Sequence, residues 1–382
     1  MIDEVCAAVG RVAAQFATEC DERLYRRTLV PEDFSVLADA GLLRLGLPVE
    51  RGGCWLGAAA SVRMYARVFR ALAAGDPSIA LVTAMHPAVL SFWLESHEVA
   101  PERAAALAAQ RARVFDDVAG GHWFGTVASE PGSAGNLMET KAVARPSPDG
   151  DGWELSGHKH MGSGSGITSF MITVAKPEGE ADAELFLLDT RGHPWDGSSG
   201  MRLLAEWDGH GMAATQSHAF MFDGMPALRF ANPGNITTIA PKVLPYISST
   251  FAAVTMGVLD AAMGAAQQTI GPKARGLKPY ERVEWSKAQN HYWLAGQALG
   301  GMVGAVEADE DAGLTALHGK IAIAELAQST MESVARAIGG RSFSRSLPFG
   351  QWALDVKALG YLRPPWALAY DQMYEAFELS VP

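Results

Sequence analysis

The chain has 382 residues, of which 48% are hydrophobic and 19% charged. That is enough apolar surface for two or three packed domains, in a composition that is neither disordered nor membrane-spanning. A formal net charge of −11 argues against nucleic acid and anionic membranes as partners, because both demand a basic surface, while a local cationic pocket for a small phosphorylated cofactor stays possible.

The N-terminus opens on Asp3 and Glu4 in a helical pattern, whereas a signal peptide needs a basic start and an apolar run. No apolar stretch is expected to reach membrane-spanning length. Cys6, Cys20 and Cys54 show neither a zinc-ligand spacing nor a Cys-x-x-Cys pair, so buried thiols, no metal and a reducing cytoplasm are expected. From residue 2 to about 114, Ala, Leu and Val recur at helical intervals, most clearly over 101–114, with breaks expected at Glu50-Arg51-Gly52-Gly53 and His86-Pro87.

The texture changes at Gly120-Gly121. Short alternating runs at 123–128, 170–175, 184–188 and 218–222 are separated by Gly, Pro, Asp and Ser clusters at 146–152 and 196–200, the pattern of an all-β domain. Helical periodicity returns near Pro241 and predicts long helices over 251–270, 286–306 and 314–338, with 271–278 as the turn between two antiparallel ones. The domains expected are 1–118, helical; 119–232, β; and 233–382, a helical bundle.

Several segments, in order across nearly the whole chain, resemble the acyl-CoA dehydrogenase superfamily. Ala40-Gly41-Leu42-Leu43 followed by Pro48-x-Glu50-x-Gly52-Gly53 looks like its N-terminal turn, and FGTVASEPGSAGN at 124–136 is similar to its Thr-Glu-Pro-Gly-Ala-Gly-Ser-Asp segment. Leu155-Ser156-Gly157-x-Lys159 leads to Met161-Gly162-Ser163-Gly164, where Ser163 fits the family while Met161 and Gly162 depart from it. The Ser163-Gly164 pair also resembles related flavin monooxygenases; a plain hairpin loop is the alternative. Gly209-x-Gly211-Met212-x-Ala214-Thr215-x-Ser217 looks like the stretch before the family's last β-strands and is read as structural.

The resemblance implies an α+β fold with an N-terminal α-helical domain, a middle β-barrel or sandwich and a C-terminal four-helix bundle. It also implies FAD. Small residues ending a strand let backbone amides approach a flat ring, and a hydroxyl meets its polar edge, so Ala128, Ser129, Gly132, Met161, Gly162 and Ser163 become flavin contacts. Arg275, fourteen residues before Gln289, becomes the diphosphate ligand, or else an exposed loop arginine. Arg336, Gly339 and Gly340 fall where the family brings a neighbouring subunit to the FAD adenylate, which implies a homodimer or homotetramer; a helix C-cap is the plainer reading of the glycines.

The family's carboxylate base is missing. Counting eight residues beyond Asp355 of Leu354-Asp355 reaches Arg363; the other family position reaches Ile247, and the CoA-binding arginine falls near Ser248. Arginine cannot serve as a base at neutral pH, but a buried guanidinium can clamp a substrate carboxylate or stabilise an enolate or thioester oxygen. Arg363 is therefore the catalytic candidate, with a solvated loop arginine as the alternative. His86, His158, His160, His210 and His291 are the histidines that could replace the base.

The resemblance implies an FAD-dependent oxidoreductase that oxidises or oxygenates a CoA thioester or related small acid in specialised metabolism, as family members do in tropodithietic acid biosynthesis. Two other readings stand beside it: an ordinary dehydrogenase whose base has moved to Glu375 or Glu378, and a scaffold that binds without turnover.

Overall fold

The computed structural model describes residues 2–380 apart from 98, 134, 151 and 233. The chain opens with helices α1 (Ile2–Thr18), α2 (Cys20–Arg23), α3 (Pro31–Asp39), α4 (Ala58–Gly75), α5 (Pro77–Leu94) and α6 (Pro101–Ala119). Strands β1 (Phe124–Thr126), β2 (Val143–Pro146), β3 (Trp153–Gly162), β4 (Phe170–Pro177), β5 (Glu184–Asp189), β6 (Met201–Ala205) and β7 (His218–Arg229) follow. Helices α7 (Asn235–Thr238), α8 (Ala240–Ile270), α9 (Pro279–Ala308), α10 (Ala312–Ile338), α11 (Phe349–Leu359) and α12 (Trp366–Ser380) close the chain. This is the α+β, acyl-CoA dehydrogenase-like arrangement that the resemblance implies.

Helix α5 is the spine of the N-terminal part, with every residue buried. Asp76 caps it by accepting from the Ile79 amide at 3.0 Å, and Pro77 takes the first helical position, where no amide hydrogen is needed. The expected break at His86-Pro87 does not occur, because both residues lie inside α5. An internal proline costs about 3 kcal/mol, and burying even two large apolar side chains among Ile79, Leu81, Val82, Val89, Leu90 and Trp93 offsets that.

The sheet closes on itself. Strand β4 pairs in parallel with β1 and β2 and antiparallel with β5, while β7 pairs with β3, β5 and β6. With β2 on β3, the ring β4–β2–β3–β7–β5 forms a barrel, and β1 and β6 lie along it. Alternation along β4 sends Met171 and Ala175 into the barrel core with Leu155, Phe186 and Phe220. Phe170, Ile172 and Val174 turn to the larger core shared with the helices.

The bundle of α8, α9 and α10, with α11 as its short fourth member, packs against α4 and α5. Contrary to expectation, two stretches are long and apolar enough to cross a membrane, Pro77–Leu94 and Ala240–Gly276, but 100% and 78% of their most apolar windows are buried inside the protein. Of the cysteines, Cys54 is buried as expected, whereas Cys6 and Cys20 are half-buried; all three are free.

Candidate functional site

Ser129 lies just beyond β1, where its carbonyl accepts from the His160 amide at 2.9 Å and so fixes it beside β3. Its hydroxyl accepts from Arg363 Nη2 at 2.7 Å, and Arg363 Nη1 donates to the Gly135 carbonyl at 3.3 Å. A Cβ on Gly135, whose φ is +87°, would sit 2.6 Å from the Pro365 ring, so only glycine lets the two segments meet. The 129–135 loop and the 363–365 turn thus form one unit, joining the catalytic candidate to a cofactor candidate. Burial pushes Arg363 down to about 10, against the pull of Glu130; the guanidinium remains charged at neutral pH.

A lysine that the sequence reading passed over holds this turn. Lys320 Nζ donates to the Gly360 carbonyl at 2.9 Å and the Pro364 carbonyl at 2.6 Å, one on each side of Arg363. Burial pushes Lys320 down to about 8. The signal lay in the sequence, since Ala316, Lys320, Ile323 and Ala327 share the buried face of α10, and a lysine on a core face needs a reason.

Beneath Ser129 runs a buried polar network. Glu130 accepts from Lys159 and Thr140 and from the Lys141 amide at 2.7 Å, and Lys159 also donates to the Val174 carbonyl at 2.5 Å. Burial drives the Glu130 carboxyl upward, but these donors outweigh it and hold the group below the usual carboxylate range. Burial also pushes Lys159 below its ordinary range despite Glu130; with so many partners around the carboxylate, the pair is ionised.

The Ser163 and Ser217 hydroxyls lie 2.7 Å apart, and Ser217 in turn lies 2.8 Å from the Thr215 hydroxyl. Met161 is half exposed with φ +58°, Ala128 is half-buried and Gly132 exposed. Gly162 is buried in the protein's own packing: a Cβ there would lie 3.1 Å from Val127 and 3.2 Å from the Ser165 hydroxyl. The Ser129 hydroxyl and the Arg363 guanidinium, 2.7 Å apart, form a donor pair suited to the carbonyl-bearing edge of a flat heterocycle, and a flavin fits that pair, while the Ser163 hydroxyl is paired with Ser217.

Other candidates lie elsewhere. Arg275 is exposed on the turn between α8 and α9, and Arg336 reaches Glu332 and, at 3.9 Å, Glu284 near the start of α9. Gly339 and Gly340, beyond α10, have open space where a Cβ would stand. These residues gather at one end of the bundle, without a hydrogen bond to Ser129, Ser163 or Arg363. Glu375 and Glu378 are exposed on α12.

Among the histidines, His86 is structural. The Phe124 amide donates to its Nδ1 at 3.1 Å, so Nε2 carries the proton and donates to the Leu43 carbonyl at 3.2 Å. Burial pushes it down to about 4, and it has no nitrogen left for catalysis. His210 is exposed. His158 and His160 are half-buried neighbours on β3, with ring centroids 5.3 Å apart, and burial and the His160 ring push His158 below the usual imidazole range.

The glycine-rich stretch before β7 is structural, as expected. A Cβ on Gly211 would lie 2.2 Å from the Leu354 carbonyl, and Asp355 accepts from the Met212 amide at 2.7 Å and from Gln351 at 3.0 Å, docking α11 on the barrel. Burial pushes Asp355 up to about 7. A carboxyl with a raised folded-state value binds its proton more tightly folded than unfolded, so its contribution to stability falls as pH rises from about 4 to 7. Urea melts across that window are expected to show the parent losing more stability than Asp355→Asn, by up to roughly 4 kcal/mol at 1.4 kcal/mol per tenfold change in acidity. Parallel curves would refute the assignment.

Comparison with known proteins gives a consistent result. Residues 125–225 match the acyl-CoA dehydrogenase middle-domain family. The chain is 26% identical over 396 aligned residues to L-evernosamine nitrososynthase of Micromonospora sp., covering 95% of this chain and 86% of that protein. FMN-bound TdsC of Paenibacillus sp. A11-2, a dibenzothiophene monooxygenase, superposes with a TM-score of 0.80 at 17% identity over 99% of this chain and 98% of that one. A nitrososynthase from Micromonospora carbonacea var. africana does so with a TM-score of 0.78 at 22% identity, over 99% and 96%. At these identities the superpositions establish the fold.

Proposed function

We propose that this chain, which belongs to the acyl-CoA dehydrogenase superfamily by its middle domain and its fold, is a flavin-dependent oxidoreductase that works without a carboxylate base. It oxidises or oxygenates a CoA thioester or related small acid in specialised metabolism. One observation carries the reading: the charged guanidinium of Arg363, the residue that the family count puts where the base is expected, hydrogen-bonds Ser129 in the segment that resembles the family's flavin-binding one. Relatives named as a monooxygenase and a nitrososynthase support oxygen chemistry on this scaffold.

A bound flavin supplies two-electron redox chemistry and reactivity toward oxygen. The chain's own part is electrostatic. Ser129 and Ser163 offer hydroxyls to the ring's polar edge. Arg363, fixed by Ser129, Gly135 and the Lys320-held turn, faces negative charge that develops on a substrate oxygen.

We read the cofactor as FAD, with Arg275, Arg336, Gly339 and Gly340 serving the diphosphate and adenylate of a second copy in a homodimer or homotetramer. The exposed Tyr280, Val283 and Trp293 of α9 favour such an interface; FMN, named with TdsC, is the alternative cofactor.

The visible spectrum of the purified protein, before and after reductant and air, tests the reading. Flavin bands that bleach and return quickly in air are expected, and slow return would point to a dehydrogenase with a protein electron acceptor. Absent bands that neither FAD nor FMN restores would leave only the binding scaffold. The mass of the cofactor released by heat distinguishes FAD from FMN.

A further inference from the structure

The stretch that docks α11 on the barrel also grips the loop after β3. The Gly164 amide donates to the Thr215 carbonyl at 2.8 Å. Gln216, held at φ +46°, donates to the Ser165 carbonyl and accepts from the Leu29 amide, both at 2.7 Å. Between these clamps stand Ser163, Ser217 and Thr215, all buried. Their hydroxyls form a chain, with Ser163 2.7 Å from Ser217 and Ser217 2.8 Å from Thr215. The Met212 carbonyl ends it, 2.8 Å beyond the Thr215 hydroxyl.

A hydroxyl has one hydrogen to give and two lone pairs to accept with, so such a chain can run in either direction. Run toward Met212, from Ser163 through Ser217 and Thr215, every hydrogen finds an acceptor. Run the other way, the Ser163 hydrogen is last and has no acceptor among the described residues. The carbonyl itself does not decide the matter, since Trp207 Nε1 at 2.9 Å and the Thr215 amide at 3.2 Å also reach it. The stranded hydrogen does, because a buried donor left unmade costs more than a spare acceptor gains.

We infer that Thr215 and Ser217 are positioning residues that commit the Ser163 hydrogen inward and leave its oxygen as an acceptor, so that the site favours a reduced flavin over an oxidised one. A reduced flavin ring carries an N–H at the central position where the oxidised ring has only a lone pair, and hydrogen bonds to ring nitrogens tune a flavin's electronics. Against the N–H, the chain stands as it is and gains one more bond. Against the lone pair, it must turn round and give up its bond to Met212. That Ser163 meets a flavin ring rests on the proposed function; the order of the hydroxyls does not.

Spectroelectrochemical titration of the flavin-loaded protein reads the bias. Thr215→Val keeps the side chain's shape but removes the oxygen that takes the Ser217 hydrogen, and Ser217→Ala removes the partner of Ser163. Each should lower the two-electron potential by about 30 mV, a tenfold loss of preference for the reduced form. Thr215→Ser, which restores the hydroxyl, should return the parent value. A parent potential in both the Val and the Ala variants, or an equal fall in Thr215→Ser, overturns the inference.

Thermal melts of the full-length chain, run without added flavin, read the order of the hydroxyls. Thr215→Val strands a hydrogen, whereas Ser163→Ala removes the first donor and strands none, so Thr215→Val should show the larger fall in Tm. An equal or reversed ranking overturns the order. Uptake of neither FAD nor FMN would sink the flavin reading, and the Tm ranking would still decide the hydroxyl chain.

Discussion

A Lys159→Met variant is expected to lose about 3–5 kcal/mol of stability in urea melts, the cost of leaving one partner of a buried ion pair without its counter-charge. Lys159 is fully buried and Glu130 only 8% exposed, so water cannot take over the carboxylate. Adding Glu130→Gln to the same chain should return most of the loss, because a neutral amide costs far less to bury than a lone charge. Thr140 and the Lys141 amide remain to satisfy its oxygen. The two changes must therefore be strongly non-additive in a double-mutant cycle. Additive losses, or a single variant that costs under about 1 kcal/mol, the range of exposed pairs, would mean that the pair is solvated. The network also bears on function, since Glu130 directly follows Ser129 and its anchoring to β3 and β4 sets where the Ser129 hydroxyl stands.

What the sequence revealed and what it concealed divide along physical lines. Long helices with one apolar face, such as α8, α9 and α10, follow from periodicity alone, as does the turn at 271–278. Strands β2, β3 and β6 were not anticipated; in β3 a lysine, Lys159, takes an inward-facing position where an alternating pattern expects an apolar residue. The tertiary partner Glu130 makes that lysine an interior residue. His86-Pro87 looked like a break because local propensity cannot register that the whole of α5 is buried.

In the site, Ser129 and Arg363 could each be reached by motif and counting, but not their hydrogen bond across 234 positions of sequence separation. Lys320 was missed for the opposite reason. It belongs to no motif and stands out only once its helix face is known to be interior. Gly162, taken for a residue that lets a ring approach, is small because Val127 and Ser165 crowd it.

Replacing Arg363 by Ala is expected to slow the chemical step about 100- to 1000-fold with flavin still bound, the effect of removing one preorganised electrostatic donor. The rate is that at which the flavin bands change in stopped flow on mixing with substrate. Arg363→Lys should recover only part of it, because an ammonium keeps the charge but loses the fork that reaches Ser129 and Gly135 together. The relocated-base reading makes a contrary prediction. If Glu375 or Glu378 removed the proton, its change to Gln would reproduce the loss while Arg363→Ala would be mild. Both glutamates are exposed on α12, where bulk water surrounds a carboxylate, outside the Ser129–Arg363 unit. Each is therefore expected to keep the rate within about twofold when changed to Gln, the range of an exposed charge's effect. A large loss at either glutamate would move the chemistry to α12 and leave Arg363 as a clamp on the 129–135 loop.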